Sequence, residues 1–288
     1  MKNTRLNISI MSFPWLVLVF FLAYAFPSPP TEEWVTPYNG PGNLEDEIEA
    51  LAVDASGNVY VTGQSKGNGT NWDYATIKYD PSGNELWVAR YDGPSNGWDW
   101  PTGLVVDASG NAYVTGGGDA GTDGGSHFAT IKYDTNGNEL WVTRHHAGLN
   151  DYGTCIAVDD SGNVYVAGVT AGHYADWKII KYDQDGNELW AEHIYLGLYS
   201  DVPSAIVVDS SGNVSVTGSR CCADMYTVKY DTNGNEIWHA QYSGTVGQAA
   251  DGATDLALDS SGDIYVTGWI FNTAGDETRG APWPCVIV

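Results

Sequence analysis

Hydrophobic and polar residues alternate in short runs along most of this chain, and the runs repeat. The segment "VDASGNVYVTG" at 53–63 returns as "VDASGNAYVTG" at 106–116 and "VDDSGNVYVAG" at 158–168. It returns again as "VDSSGNVSVTG" at 208–218 and "LDSSGDIYVTG" at 258–268. The leading aspartates, Asp54, Asp107, Asp159, Asp209 and Asp259, fall about fifty residues apart. A second block follows each of the first four copies: "IKYDPSGNELW", "IKYDTNGNELW", "IKYDQDGNELW" and "VKYDTNGNEIW".

Each period predicts four short strands. An apolar run such as "LAVD" enters the turn Asp-x-Ser-Gly-Asn, where Asp bonds its own backbone and Gly takes a left-handed position. "NVYVTG" leaves as the second strand, rich in β-branched and aromatic residues. A variable stretch leads to strand three, "YATIKYD", and a second Gly-Asn turn leads to strand four, "ELWVARY". Apolar residues occupy both faces of these strands, the pattern of sheets stacked between neighbours. Four-stranded antiparallel units at this period are propeller blades, so the expected fold class is all-β, a five-bladed β-propeller.

The run D-x-S-G-N-V-Y-V-T-G … K-Y-D-x-x-G-N-E-L-W resembles the SBBP β-propeller repeat family of exported and cell-surface proteins of bacteria and archaea. It is more loosely similar to the YVTN-type repeats of archaeal surface-layer proteins. The resemblance covers nearly all of residues 34–288. It implies a propeller at the cell surface or beyond, and no defined reaction.

The repeat also phases the two ends. "CVIV" at 285–288 aligns with the third strands, with no Lys-Tyr-Asp after it. The segment "EEWVTPYNGPGN" at 32–43 matches the fourth strand "ELWVARYDGPSN" at 85–96. Trp34 stands as far before Asp54 as Trp87 does before Asp107. The expectation is that residues 32–40 supply the outer strand of the last blade and close the ring. Repeats then run near 50–102, 103–153, 154–204, 205–254 and 255–288. A fragment of a propeller with more blades is the alternative.

Composition changes this picture at the N-terminus. Lys2 and Arg5 precede the apolar run "FPWLVLVFFLAYAF" at 13–26. This reads as a secretory signal peptide over 1–25, followed by a proline-rich leader at 26–31 and the propeller at 32–288. The net charge is −24, and loss of Lys2 and Arg5 makes the mature chain still more acidic. Such a surface repels nucleic acid and anionic membranes, and no later stretch is long and apolar enough to insert in a bilayer. The expected state is a secreted or surface-attached monomer. The four cysteines form no recurring framework: Cys155 and Cys285 fall in strands, and Cys221–Cys222 are adjacent loop residues.

Candidate chemistry lies where the repeats vary. Trp72, Trp98, Trp100, Trp269 and Trp283 fall outside the repeat, in loops on the variable face. Flat aromatic faces beside carboxylates suit a polysaccharide ligand, or a surface of another protein. Asp46, Asp99, Asp151, Asp201 and Asp251 each stand eight residues before a leading aspartate. Converging near the channel mouth they would bind Ca²⁺ through oxygen ligands, or each would cap backbone N–H groups at its own crossing. No nucleophile motif, phosphate loop or metal-ligand histidine spacing appears. The expected protein is a non-catalytic binder. A polysaccharide hydrolase or lyase and a purely architectural module are the alternatives.

Overall fold

The computed structural model describes residues 33–121, 124–146, 150–171, 175–195, 201–220, 224–242, 252–269 and 285–286. The proposed signal peptide and leader, and the pair Cys221–Cys222, lie outside these residues.

Among these residues, nineteen strands form five antiparallel sheets. The first sheet is β1 (Asp46–Val53), β2 (Val59–Lys66), β3 (Trp72–Tyr79) and β4 (Glu85–Tyr91). The second is β5 (Asp99–Val106), β6 (Ala112–Asp119), β7 (Ser126–Tyr133) and β8 (Glu139–His145). The third is β9 (Tyr152–Val158), β10 (Val164–Ala171), β11 (Ala175–Tyr182) and β12 (Glu188–Ile194). The fourth is β13 (Val202–Val208), β14 (Val214–Arg220), β15 (Asp224–Tyr230) and β16 (Glu236–Tyr242). The fifth holds β17 (Gly252–Leu258), β18 (Ile264–Trp269) and the two-residue β19 (Cys285–Val286). Strand order follows sequence order in every sheet.

The Asp-x-Ser-Gly-Asn turn forms because one carboxylate satisfies four donors. Asp107 Oδ1 accepts the backbone N–H groups of Ser109 and Asn111, both at 2.9 Å. Its Oδ2 accepts Asn111 Nδ2 at 2.7 Å and the Tyr113 hydroxyl at 3.0 Å. Gly110 closes the turn onto the Asp107 carbonyl at φ +83°, a conformation that costs a side-chain-bearing residue energy. Burial pushes the Asp107 carboxyl up, but the hydrogen bonds from Asn111, Tyr113 and Ser109 outweigh it and hold the group below its ordinary value.

Between sheets, apolar side chains from facing blades interdigitate. Tyr60 and Tyr74 of the first sheet pack with Val114, Ile131 and Tyr133 of the second. Equivalent clusters join the second sheet to the third, the third to the fourth and the fourth to the fifth. The repeat tryptophans are half-buried and bridge neighbouring blades. Trp87 of β4 donates Nε1–H to the Thr135 carbonyl in the next blade's second turn, at 3.0 Å. Trp141 and Trp190 make the same bond to Gln184 and Thr232. A Cβ on Gly137 would sit 2.7 Å from the Trp87 ring, so this glycine is required by the contact as well as by its φ of +82°.

The N-terminal segment has the contacts of a fourth strand. Trp34 donates Nε1–H to the Pro81 carbonyl at 3.2 Å, and Thr36 Oγ1 donates to the Gly83 carbonyl at 3.1 Å. The register of the last strand differs from the expectation: β19 pairs with β18 through Tyr265↔Val286 and Val266↔Cys285. In the first sheet the equivalent pair is Val61↔Ile77, so Cys285 takes the position that the repeat alignment assigns to Val288. Two residue pairs specify register weakly.

The third strands of the first four sheets each carry a lysine, and three of these reach the next blade. Lys78, Lys132 and Lys181 donate to the carbonyls of Thr135, Gln184 and Thr232. Each ammonium also lies over a tyrosine ring, Tyr60, Tyr113 or Tyr165. Only Lys229 meets a carboxylate, Asp209 of its own sheet, at 2.9 Å.

Asp107→Ala is expected to cost about 2 kcal/mol by orphaning the turn donors, lowering the melting temperature by roughly 5 °C, whereas Ala108→Ser in the same turn changes little. Thermal unfolding followed by circular dichroism checks both.

Candidate functional site

Each first strand carries a bulge near its start, and in the second, third and fourth sheets the bulged hydroxyl reaches the next blade. Thr102 Oγ1 donates to the Gly153 carbonyl at 2.8 Å, Thr154 to Pro203 at 2.7 Å and Ser204 to Ala253 at 2.8 Å. Thr254 is the bulged residue of the fifth sheet. In the first sheet this position is Glu49, an exposed carboxylate. Sequence reasoning missed it, although a glutamate among four hydroxyl residues at one repeat position was a signal.

Glu49 lines a cleft of about 330 Å³ with Gln64, Trp98, Trp100, Pro101 and Thr102, where the first and second sheets meet. Trp98 precedes β5 and is 52% exposed, yet its ring is fixed. Its Nε1–H donates to Gln64 Oε1 at 2.8 Å, and Gln64 Nε2 donates to Glu47 Oε2 at 2.8 Å. Trp100 meets Trp98 edge to face at 6.0 Å and Tyr152 at 6.4 Å. Its indole fills the space above Gly117, where an added Cβ would lie 2.4 Å away. An exposed indole held by hydrogen bonds pays little ordering entropy when a flat apolar surface stacks on it.

The other sequence candidates do not join this cleft. Trp72 lies beneath the Lys66 ammonium, 4.5 Å from the ring centre. Trp269 ends β18, with its indole against Gly252. Trp283 lies outside the described residues. Trp177 of β11 is fully buried and meets Tyr226 edge to face.

The carboxylates of two crossings each accept a backbone N–H of their own crossing. Asp46 Oδ2 accepts the Gly40 N–H at 2.9 Å, and Asp99 Oδ2 accepts the Gly93 N–H at 2.6 Å. Asp151 and Asp201 are fully buried, and their own N–H groups donate to Ser126 and Ala175 of the preceding sheet. Asp251 lies outside the described residues. Among the described residues, the acidic groups near enough to share a cation are Asp73, Asp92 and Asp99, with oxygens within 4.8 Å of one another. Arg90 already pairs with Asp73 at 2.9 Å. This grouping crosses the first blade boundary and is not the five-membered ring of the repeat.

Burial pushes the Asp99 carboxyl up to about 7; Asp92 and Asp73 act in the same direction, against the Gly93 hydrogen bond. Nearby His127 is held neutral, down to about 4, by burial and by Arg144. A carboxyl with a raised folded-state value favours the folded state below its unfolded value near 4, and that contribution is lost as pH rises towards 7. Asp99→Asn keeps an acceptor for Gly93 and removes the ionisation. It is expected to flatten the loss of stability between pH 4 and 7 and to raise the melting temperature at pH 8, as read by calorimetry across that range.

The fold and cleft can be set beside known proteins. A protein of unknown function from Bacteroides caccae superposes with a TM-score of 0.51 at 13% identity, over 84% of this chain and 78% of that one. The periplasmic gluconolactonase of Pseudomonas aeruginosa gives 0.50 at 12% identity, over 78% and 68%. At these identities the likeness is one of fold alone. An uncharacterised WD repeat-containing protein of Acanthamoeba polyphaga mimivirus is 29% identical over 108 residues, 32% of this chain. The match spans 8% of that protein's length. The SBBP β-propeller repeat model matches residues 33–69 and 140–175, each stretch opening one residue before a blade-bridging tryptophan, Trp34 or Trp141. The four-stranded sheets and these matches agree: residues 33–69 and 140–175 carry the SBBP β-propeller repeat.

Proposed function

We propose that this chain is an exported, non-catalytic propeller of five blades that binds carbohydrate in the cleft between Trp98 and Glu49. The observation that carries the reading is the coincidence of two departures from the repeat in one place. A rigid, half-exposed indole stands where other blades have none, and a carboxylate replaces the bridging hydroxyl. The indole face suits the C–H face of a pyranose, and Glu49 accepts hydrogens from its hydroxyls.

Charge narrows the class. A net charge of −24 and the carboxylates Glu47 and Glu49 disfavour uronic-acid or sulfated polymers, leaving neutral or amino sugars. A glycosidase would need two acids flanking the scissile bond. Glu47 is engaged by Gln64, which orients Trp98, so binding is the reading better matched to the side chains. Export rests on the N-terminal basic and apolar run and on the resemblance to exported repeat proteins. Among the described residues, no helix is long and apolar enough to cross a membrane.

Calorimetric titration with a panel of neutral and amino-sugar polysaccharides tests this. Trp98→Ala should weaken binding about tenfold or more without lowering the melting temperature. Glu49→Thr should weaken binding while restoring the hydroxyl bridge and raising stability. Unchanged affinity in both variants, or silence across the panel, removes the assignment.

A further inference from the structure

Three carboxylates meet where the first and second sheets adjoin. Asp73 is the second residue of β3, and Asp92 and Asp99 stand at the two ends of the crossing that carries Trp98. One oxygen from each lies within 4.8 Å of the others. Counted from the repeat tryptophan, Asp92 aligns with Asn39, His146, Tyr195 and Ser243, so the third carboxylate belongs to this boundary and not to the repeat.

Two of the three are not surface groups. Asp99 is fully buried and Asp73 is 2% exposed. Asp73 Oδ2 accepts the Thr70 hydroxyl at 2.8 Å and Arg90 at 2.9 Å, and Asp99 Oδ2 accepts the Gly93 N–H. No hydrogen-bond donor among the described residues reaches Asp73 Oδ1 or Asp99 Oδ1, and water does not touch either atom. A buried carboxylate oxygen left without a partner is costly. Asp99 Oδ1 also has room kept for it: it lies against Gly118, where any side chain would collide with it. Ser65 holds that register position opposite Asp46 in the first sheet.

Arg90 does not balance the group. Its guanidinium is shared among Asp73, Ser65 and Tyr38, and it offsets one negative charge of three. A proton on Asp99 would remove a second charge and leave the Asp73 oxygen unmatched. The neighbouring His127 ring is turned to the Tyr91 hydroxyl, 3.2 Å away, so the donor set is carboxylate oxygen throughout.

We infer that Asp73, Asp92 and Asp99 bind a calcium ion that clamps both ends of the crossing presenting Trp98. Carboxylate oxygens select a hard cation. Ca²⁺ bonds of about 2.3–2.6 Å span oxygens this far apart, and its loose geometry leaves places for water on the exposed Asp92 side. Mg²⁺ binds at about 2.0–2.1 Å, keeps most of its water and takes one or two carboxylates, which suits three converging acids less well. Only Asp99 is shared with the ring of crossing aspartates; the other two ligands come from outside that ring.

Calorimetric titration of the chelator-treated full chain with CaCl₂ tests the site. One ion is expected to bind with a dissociation constant below about 1 mM. At about a hundred times that constant the melting temperature should rise by roughly 5 °C. Asp92 is exposed, so Asp92→Asn reads binding without a folding defect and should weaken it about tenfold or more. Asp99→Asn should do the same and lose the thermal gain. Asp46→Asn removes a ring member outside the trio, and Asp160→Asn an exposed acid elsewhere; both should bind as the parent does. A loss in Asp46→Asn equal to that in Asp92→Asn assigns the ion to the ring and overturns the inference. Unchanged affinity in all four variants also overturns it, as diffuse attraction to a chain of net charge −24. Absence of both heat and thermal shift at about 10 mM CaCl₂ ends it, leaving a proton as the group's only counter-charge. MgCl₂ binding as tightly as CaCl₂ overturns the choice of ion.

Discussion

The structure depends on one interlock, the indole of an outer strand laid on the second turn of the following blade. Trp87, Trp141 and Trp190 each donate Nε1–H to a turn carbonyl and occupy the space that a side chain on Gly137, Gly186 or Gly234 would fill. The same turn receives the lysine of the preceding third strand. Sheets with two apolar faces could stack in many registers, because burial of area has little direction. A hydrogen-bonded ring seated over a glycine admits one.

The candidate site uses this rigidity. Strands at a blade boundary are held by cores on both sides, so a substitution at the boundary alters surface chemistry without moving the frame. Glu49 for a bridging hydroxyl, Gln64 after the recurring Thr-Gly pair, and Trp98 and Trp100 on either side of the first residue of β5 are such substitutions. Catalysis and binding alike need side chains fixed on rigid elements. Here the Glu47–Gln64–Trp98 chain of hydrogen bonds supplies that fixation for an aromatic group.

Much of the fold was legible because its rules are local. The Asp-x-Ser-Gly-Asn turn is written in five consecutive letters, and period-two alternation sets the strands around it. The phase of Trp34 could be read for the same reason. Partners across a boundary were less legible. Lys78 and Lys132 bond to carbonyls, which every residue carries and no letter marks. The crossing aspartates recur at one repeat position, yet Asp99 meets Asp73 and Asp92, two residues from outside that pattern. Glu49 was visible as a letter but not as a site, because only the bulge reveals which way its side chain faces.

The seating of Trp34 has a mechanical consequence. Outer strands such as β4 are stitched to their neighbour along a ladder of backbone hydrogen bonds. The segment around Trp34 is held to the first sheet through side chains, Trp34 to Pro81 and Thr36 to Gly83. Among the described residues, a pull along the chain from its N-terminal side meets these two bonds and the Trp34–Tyr79 ring contact in succession. Tension applied there would peel the segment like a zipper, at lower force than shearing any internal strand.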